Sequence, residues 1–163
     1  MFERLRFAVN SNAPANSSLP LLALKSPINQ QGFDYWNAKR GSRCMPARCD
    51  IDPSEILKIL PHIFLLDVRA EPLDFRYRLI GTKMDEHMMG SYTGLWMSSI
   101  PHQKAPSRIW SSCRQVFDSR APLSSEVPYV GKNKEFLTTE DLIMPLSDDD
   151  DQVNMLFVTV GFV

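Results

Sequence analysis

The segment VNMLFVTVGFV, residues 153–163, decides how this chain folds. Met155, Leu156, Phe157, Val158 and Val160 are apolar at nearly every position. Successive side chains of a strand point to opposite faces, so a strand apolar on both faces is covered on both and lies inside its sheet. The segment HIFLLDVR, residues 62–69, has the same character, with Ile63, Phe64, Leu65, Leu66 and Val68. These are the first and last strand candidates in the chain. An antiparallel sheet that pairs them at its centre has the strand order 2-1-5-4-3.

The remaining elements fit around that pair. Residues 75–80 alternate, with Phe75, Tyr77 and Leu79 on one face and Arg76, Arg78 and Ile80 on the other, as expected of a half-buried strand nearer an edge. Residues 122–130 read as an edge strand broken by Pro128. Residues 135–144 read as a long strand ending at Pro145, and the aspartates 148–151 as the turn into the last strand. Ser26-Pro27 offers an N-cap and a proline at the first helical position, opening a helix over 26–39 that Gly41 stops. Ile28, Tyr35 and Trp36 share one face of it, although Gly32 weakens it. Asp52-Pro53-Ser54-Glu55 reads as a capping box opening a short helix that Pro61 ends. Residues 81–89 form a short helix candidate with Thr82 as a possible cap. Residues 106–117 form the best helix, with Ile109, Cys113, Val116 and Phe117 in one stripe widened by Trp110. The expected fold is therefore α+β: a five-stranded antiparallel sheet with helices inserted between strands 2 and 3, and an N-terminal helix.

Composition bounds the function. The 163 residues predict one domain over 26–163, behind a partly flexible lead-in over 1–25. The hydrophobic share of 44% and charged share of 23% are ordinary for a soluble protein. A net charge of -1, from 18 basic and 19 acidic residues, gives no electrostatic case for nucleic acid. Three cysteines make no disulfide framework, and no apolar run reaches membrane-spanning length, so a cytoplasmic location is expected.

The pieces in their order resemble one family. Tyr35-Trp36, Met45-Pro-Ala-Arg48, Asp50-Ile-Asp-Pro53, Leu60-Pro61, Phe75-Arg-Tyr-Arg-Leu-Ile-Gly-Thr82 and Met144-Pro-Leu-Ser147 look like the stand-alone PAS subfamily of alphaproteobacteria, over roughly residues 30–160. One departure is the turn at 148–151, where a glycine is expected and aspartates stand. The resemblance implies a sensory domain. Such domains bind small molecules, haem or flavin, or act as dimerising relays. It implies no particular cofactor, and fold alone does not fix function.

Several constellations carry chemistry on paper. Arg78, near the junction with Gly81-Thr82, suits a carboxylate or phosphate through its planar fork, or else clamps an internal Asp or backbone carbonyls; the clamp is the stronger reading. Cys44, Cys49 and His62 lack a fourth ligand and familiar zinc spacing, so no metal is expected. His87 or its neighbours Met88 and Met89 offer haem ligands, but a helical histidine beside methionines is more often packing. The aspartate run lacks the spacing and glycine of a calcium loop. No nucleophile elbow, phosphate loop or metalloprotease motif is present, so no catalytic residue is assigned. The aromatics Tyr77, Trp96, Trp110, Phe117, Phe136 and Phe157 come from elements that enclose the cavity in the fold this chain resembles. Tyr77, Arg78, Trp96, Trp110 and Phe117 are the candidate ligand-binding set. The expectation is a single-domain sensor that binds a small molecule and signals through a protein partner, without enzymatic activity. The alternative is a ligand-free adaptor with a filled cavity, dimerising through the N-terminal helix around Tyr35 and Trp36.

Overall fold

The computed structural model describes residues 19–88, 90–128 and 138–163. Strand β1 (Ile63–Ala70) and strand β5 (Met155–Phe162) pair antiparallel, Phe64 opposite Val158 and Leu66 opposite Leu156. Strand β2 (Leu73–Ile80) adds to the far side of β1. Strand β4 (Thr138–Leu146) pairs with β5, and strand β3 (Leu123–Pro128) closes that side. The order is β2-β1-β5-β4-β3, as the two doubly apolar segments require. Leu156 and Phe157 are both fully buried although they face opposite sides of the sheet, so each face is covered. The part of the expected fourth strand at 135–137, with Phe136, lies outside the described residues.

Helix α1 (Pro27–Arg40) covers one face. Ser26 caps it through its hydroxyl, which accepts from the Asn29 amide. Gly32 is what lets the helix close on the sheet: a Cβ there would stand 2.7 Å from the Thr159 methyl. Trp36 is fully buried and its indole N–H donates to the Pro145 carbonyl at 2.9 Å. This corrects the expectation that Trp36 helps form a docking surface. The outward face of α1 is polar, with Gln30, Gln31, Asp34 and Asn37 exposed.

Between β2 and β3 lie helix α2 (Thr82–His87) and helix α3 (Arg108–Ser119), covering the other face. Gly81, not Thr82, holds the cap position of α2 and makes no side-chain cap bond. A Cβ at Gly81 would stand 2.5 Å from the carbonyl oxygens of Leu60 and Pro61, so only glycine fits that approach. In α3 the predicted stripe is partly core: Cys113 and Val116 are fully buried, Ile109 and Phe117 half-buried.

Two local expectations change. The helix expected from Asp52 is instead two 3-10 turns, Pro53–Glu55 and Leu60–His62. Asp52 does cap Ser54 at 2.9 Å, but Glu55 does not reach back to complete a box. It is drawn to α1, where it accepts from the Tyr35 hydroxyl at 2.8 Å and pairs with Lys39 at 2.7 Å. The turn at 148–151 needs no glycine because Asp150 itself takes the left-handed conformation, φ 61°. Its carboxylate accepts from the Cys44 and Met45 amides, tying the turn to the segment after α1. Met89 lies outside the described residues.

Candidate ligand cavity

Alternation along β4 assigns two adjacent acids to opposite environments. Glu140 turns toward α1 and is buried. It accepts from the Lys25 amide (2.7 Å), the Ser26 amide (3.0 Å) and the Asn29 side chain (2.9 Å). Burial alone would raise its pKa, but these donors outweigh burial and hold it below the usual carboxylate range. Asp141 turns the other way, toward α2 and α3, and there the sheet and helices leave a cavity of about 390 Å³. Ligand sites typically measure roughly 300–1,000 Å³.

The cavity wall is mixed. Phe64, Val160 and Phe162 rise from β1 and β5, and Met84 and Ile109 close it from α2 and α3. Tyr77 from β2 packs edge-on against Phe64, ring centroids 5.7 Å apart, and its hydroxyl donates to Gln103 at 2.6 Å. Burial pushes the Tyr77 phenol up. Tyr92 stacks at a tilt against Tyr77 at 6.1 Å, and its hydroxyl lies 3.3 Å from His102 Nε2. Asp141 is half-buried beside Thr139, Arg108 standing near enough to act on it. Burial drives its carboxyl up to about 6, against the opposing pull of the Thr139 hydroxyl and the Arg108 charge. The fully buried Cys113 on α3 is likewise pushed up, by burial first and by the Asp141 charge second.

Of the five candidate residues, Tyr77 lines this cavity; Arg78, Trp96, Trp110 and Phe117 stand elsewhere. Arg78 is exposed, 3.7 Å from the Asp67 carboxylate. The closer clamp on Asp67 is Arg76, at 2.8 and 3.1 Å. Trp96 bridges to Arg76 along the outer edge of β2 and packs its ring against two guanidinium groups, Arg69 at 4.4 Å and Arg76 at 5.2 Å from its centre. Trp110 packs edge-on against Phe75 at 6.1 Å and borders a surface groove with Arg114. Phe117 packs against the core. Asp141, Gln103, Tyr92 and His102 were not singled out as ligand residues from the sequence. The signal for Asp141 was present: two adjacent acids in a strand otherwise apolar from 142 to 146 must face opposite sides.

Cys44 and Cys49 are free and exposed, and no cluster of metal-ligating residues forms among the described residues. His87 does line the cavity, but its ring packs on Phe162 at 4.8 Å, and His102 is engaged with Tyr92. No cysteine is among the described lining residues.

A sheet of this order, with helices between its second and third strands and a cavity beneath them, is the architecture of a PAS sensory domain. The chain belongs to the PAS domain family: the PAS_5 family model matches residues 24–160. Among solved structures it is similar to the PAS domain of the histidine kinase ThkA, with 12% identity, 61% of this chain and 98% of that one covered, and a TM-score of 0.43. It is also similar to a fungal LOV domain photoreceptor described in a pathway integrating blue light and oxidative stress, with 16% identity, 71% and 94% coverage, and a TM-score of 0.46. No curated protein matches it by sequence. Among the described residues no helix is long and apolar enough to cross a membrane.

Proposed function

We propose that this PAS domain is a cytoplasmic sensory module that binds a small molecule between its sheet and helices α2 and α3 and signals through protein partners. One observation carries the reading: a cavity of about 390 Å³ between the sheet and helices α2 and α3, with a mixed wall in which Phe64, Met84, Ile109 and Val160 alternate with polar groups that include Asp141, Gln103 and the Tyr77 hydroxyl. A ligand there touches both the rigid sheet and the helices over it. It favours one packing of those helices, and the changed helix surface is what a partner reads. Exposed thiols at Cys44 and Cys49 suit a reducing compartment. The cavity weighs against the ligand-free adaptor, which needs a filled core. Pairing of two copies through α1 would use the polar face of Gln30, Gln31, Asp34 and Asn37, a surface with little apolar area to bury.

Native mass spectrometry of gently purified protein, followed by denaturing extraction, tests the reading. The expected result is an added mass released on denaturation. Bare protein under all gentle conditions, with no uptake from a cell metabolite extract, would count against it.

A further inference from the structure

The chemistry of the wall narrows the ligand class, on the footing that the cavity is a ligand site. We propose that the cavity takes an organic cation, a small primary or secondary amine whose ammonium group bonds to the Asp141 carboxylate while its hydrocarbon part lies against Phe64, Tyr77 and Val160.

Asp141 is the one acid among the described residues lining the cavity. The ion pairs of the described molecule use other carboxylates, among them Asp50, Asp67, Asp74, Glu55 and Glu126. None reaches Asp141, which is supported by the neutral Thr139 hydroxyl and, without an ion pair, by the charge of the exposed Arg108. A half-buried carboxylate without a paired cation is costly, and a ligand that brings one recovers that cost. The raised carboxyl agrees with this geometry.

Other charged or titratable groups face the same space: His87 from α2, His102 and Arg108 from the segment leading into α3 and its first turn, Tyr77 from β2 and Tyr92; Cys113 of α3 lies behind the wall, fully buried, where the Asp141 charge still acts on it. Arg108 is the one that would favour an anion. It is exposed, so water screens it, and an anion entering would meet Asp141 unpaired. The balance favours the cation.

Three probes of nearly one shape separate the outcomes: 2-phenylethylamine, 2-phenylethanol and phenylacetate, titrated calorimetrically at pH 7.5 into the wild type and Asp141→Asn. The proposal expects the amine to bind about tenfold or more tighter than the alcohol, the worth of one charge-assisted bond. Asp141→Asn abolishes that preference, so that amine and alcohol bind the variant about equally. Between pH 7 and 5 the preference shrinks in the wild type but not in the variant; both keep the histidines, so the difference isolates the carboxylate. If the alcohol binds as well as the amine, or phenylacetate binds best, the cation proposal fails while the cavity stands as a ligand site. If none of the three binds at millimolar concentration, the cavity reading fails as well.

Discussion

Glu140 and Asp141 are neighbours in sequence with opposite fates. Glu140 is buried deeper, yet three donors keep it charged. Asp141 is less buried but poorly supported, and its carboxyl is driven up from 3.8 to about 6. The sign follows. A carboxyl whose folded pKa lies above its unfolded value contributes stability below the unfolded pKa and loses it as pH rises through the folded one. The wild type is therefore expected to lose stability relative to Asp141→Asn between pH 4 and 6. At pH 7.5 the variant should be more stable by up to roughly 2–3 kcal/mol. Denaturant melts at both pH values check this; equal stability at pH 7.5 would mean that Asp141 is better solvated than its position implies. Trp36 carries a different residue-scale expectation. It is fully buried with its N–H bonded, so Trp36→Ala should destabilise by about 3–5 kcal/mol, seen in the unfolding midpoint, while the state of association of the folded protein stays the same.

Among the elements, α1 is fastened to the sheet at points where side chains are absent or polar. Ser26 sits against Gly161 so closely that a Cβ on Gly161 would stand 1.9 Å from its hydroxyl oxygen. Gly161→Ala should therefore push the start of α1 away from β5, costing about 1–3 kcal/mol. Amide exchange would rise first in α1 and at Lys25 and Ser26; uniform exchange would show that the helix is held elsewhere. At this scale the sequence was most readable. The strand order followed from two segments apolar on both faces, and each strand and helix of the sheet and its covers had its own pattern. The 3-10 turns after Asp52 were not readable, because Tyr35 and Lys39, distant in sequence, pull Glu55 out of the expected cap. Trp96 was misplaced for a similar reason. Its bulk announced importance, but its place against Arg69 and Arg76 on the edge of β2 depends on how residues 94–96 fold back. There it closes the free edge, with the Tyr77 amide donating to Leu95 and its carbonyl accepting from Gly94.

For the whole molecule, the division of labour lies between the two faces of one sheet. The α1 face is packed and hydrogen-bonded through; the α2 and α3 face retains space lined by Tyr77, Asp141 and Val160. Tyr77 was legible because Phe75 and Tyr77 alternate into the covered face, although beyond Tyr77 the alternation breaks: opposite a bulge at Leu65/Leu66, Leu79 is exposed and Ile80 packs against the core. Asp141, Gln103 and Tyr92 were not, because a cavity is defined by what fails to fill it, and periodicity reports only what each element buries. Filling that space is the most direct test. Val160 is buried at the cavity wall, and Val160→Phe directs a ring into it. Native mass spectra of the wild type and Val160→Phe, purified identically, should show an added mass on the wild type that is absent from the variant. The same added mass on both, or none on either, would contradict a small molecule held between the sheet and its helices.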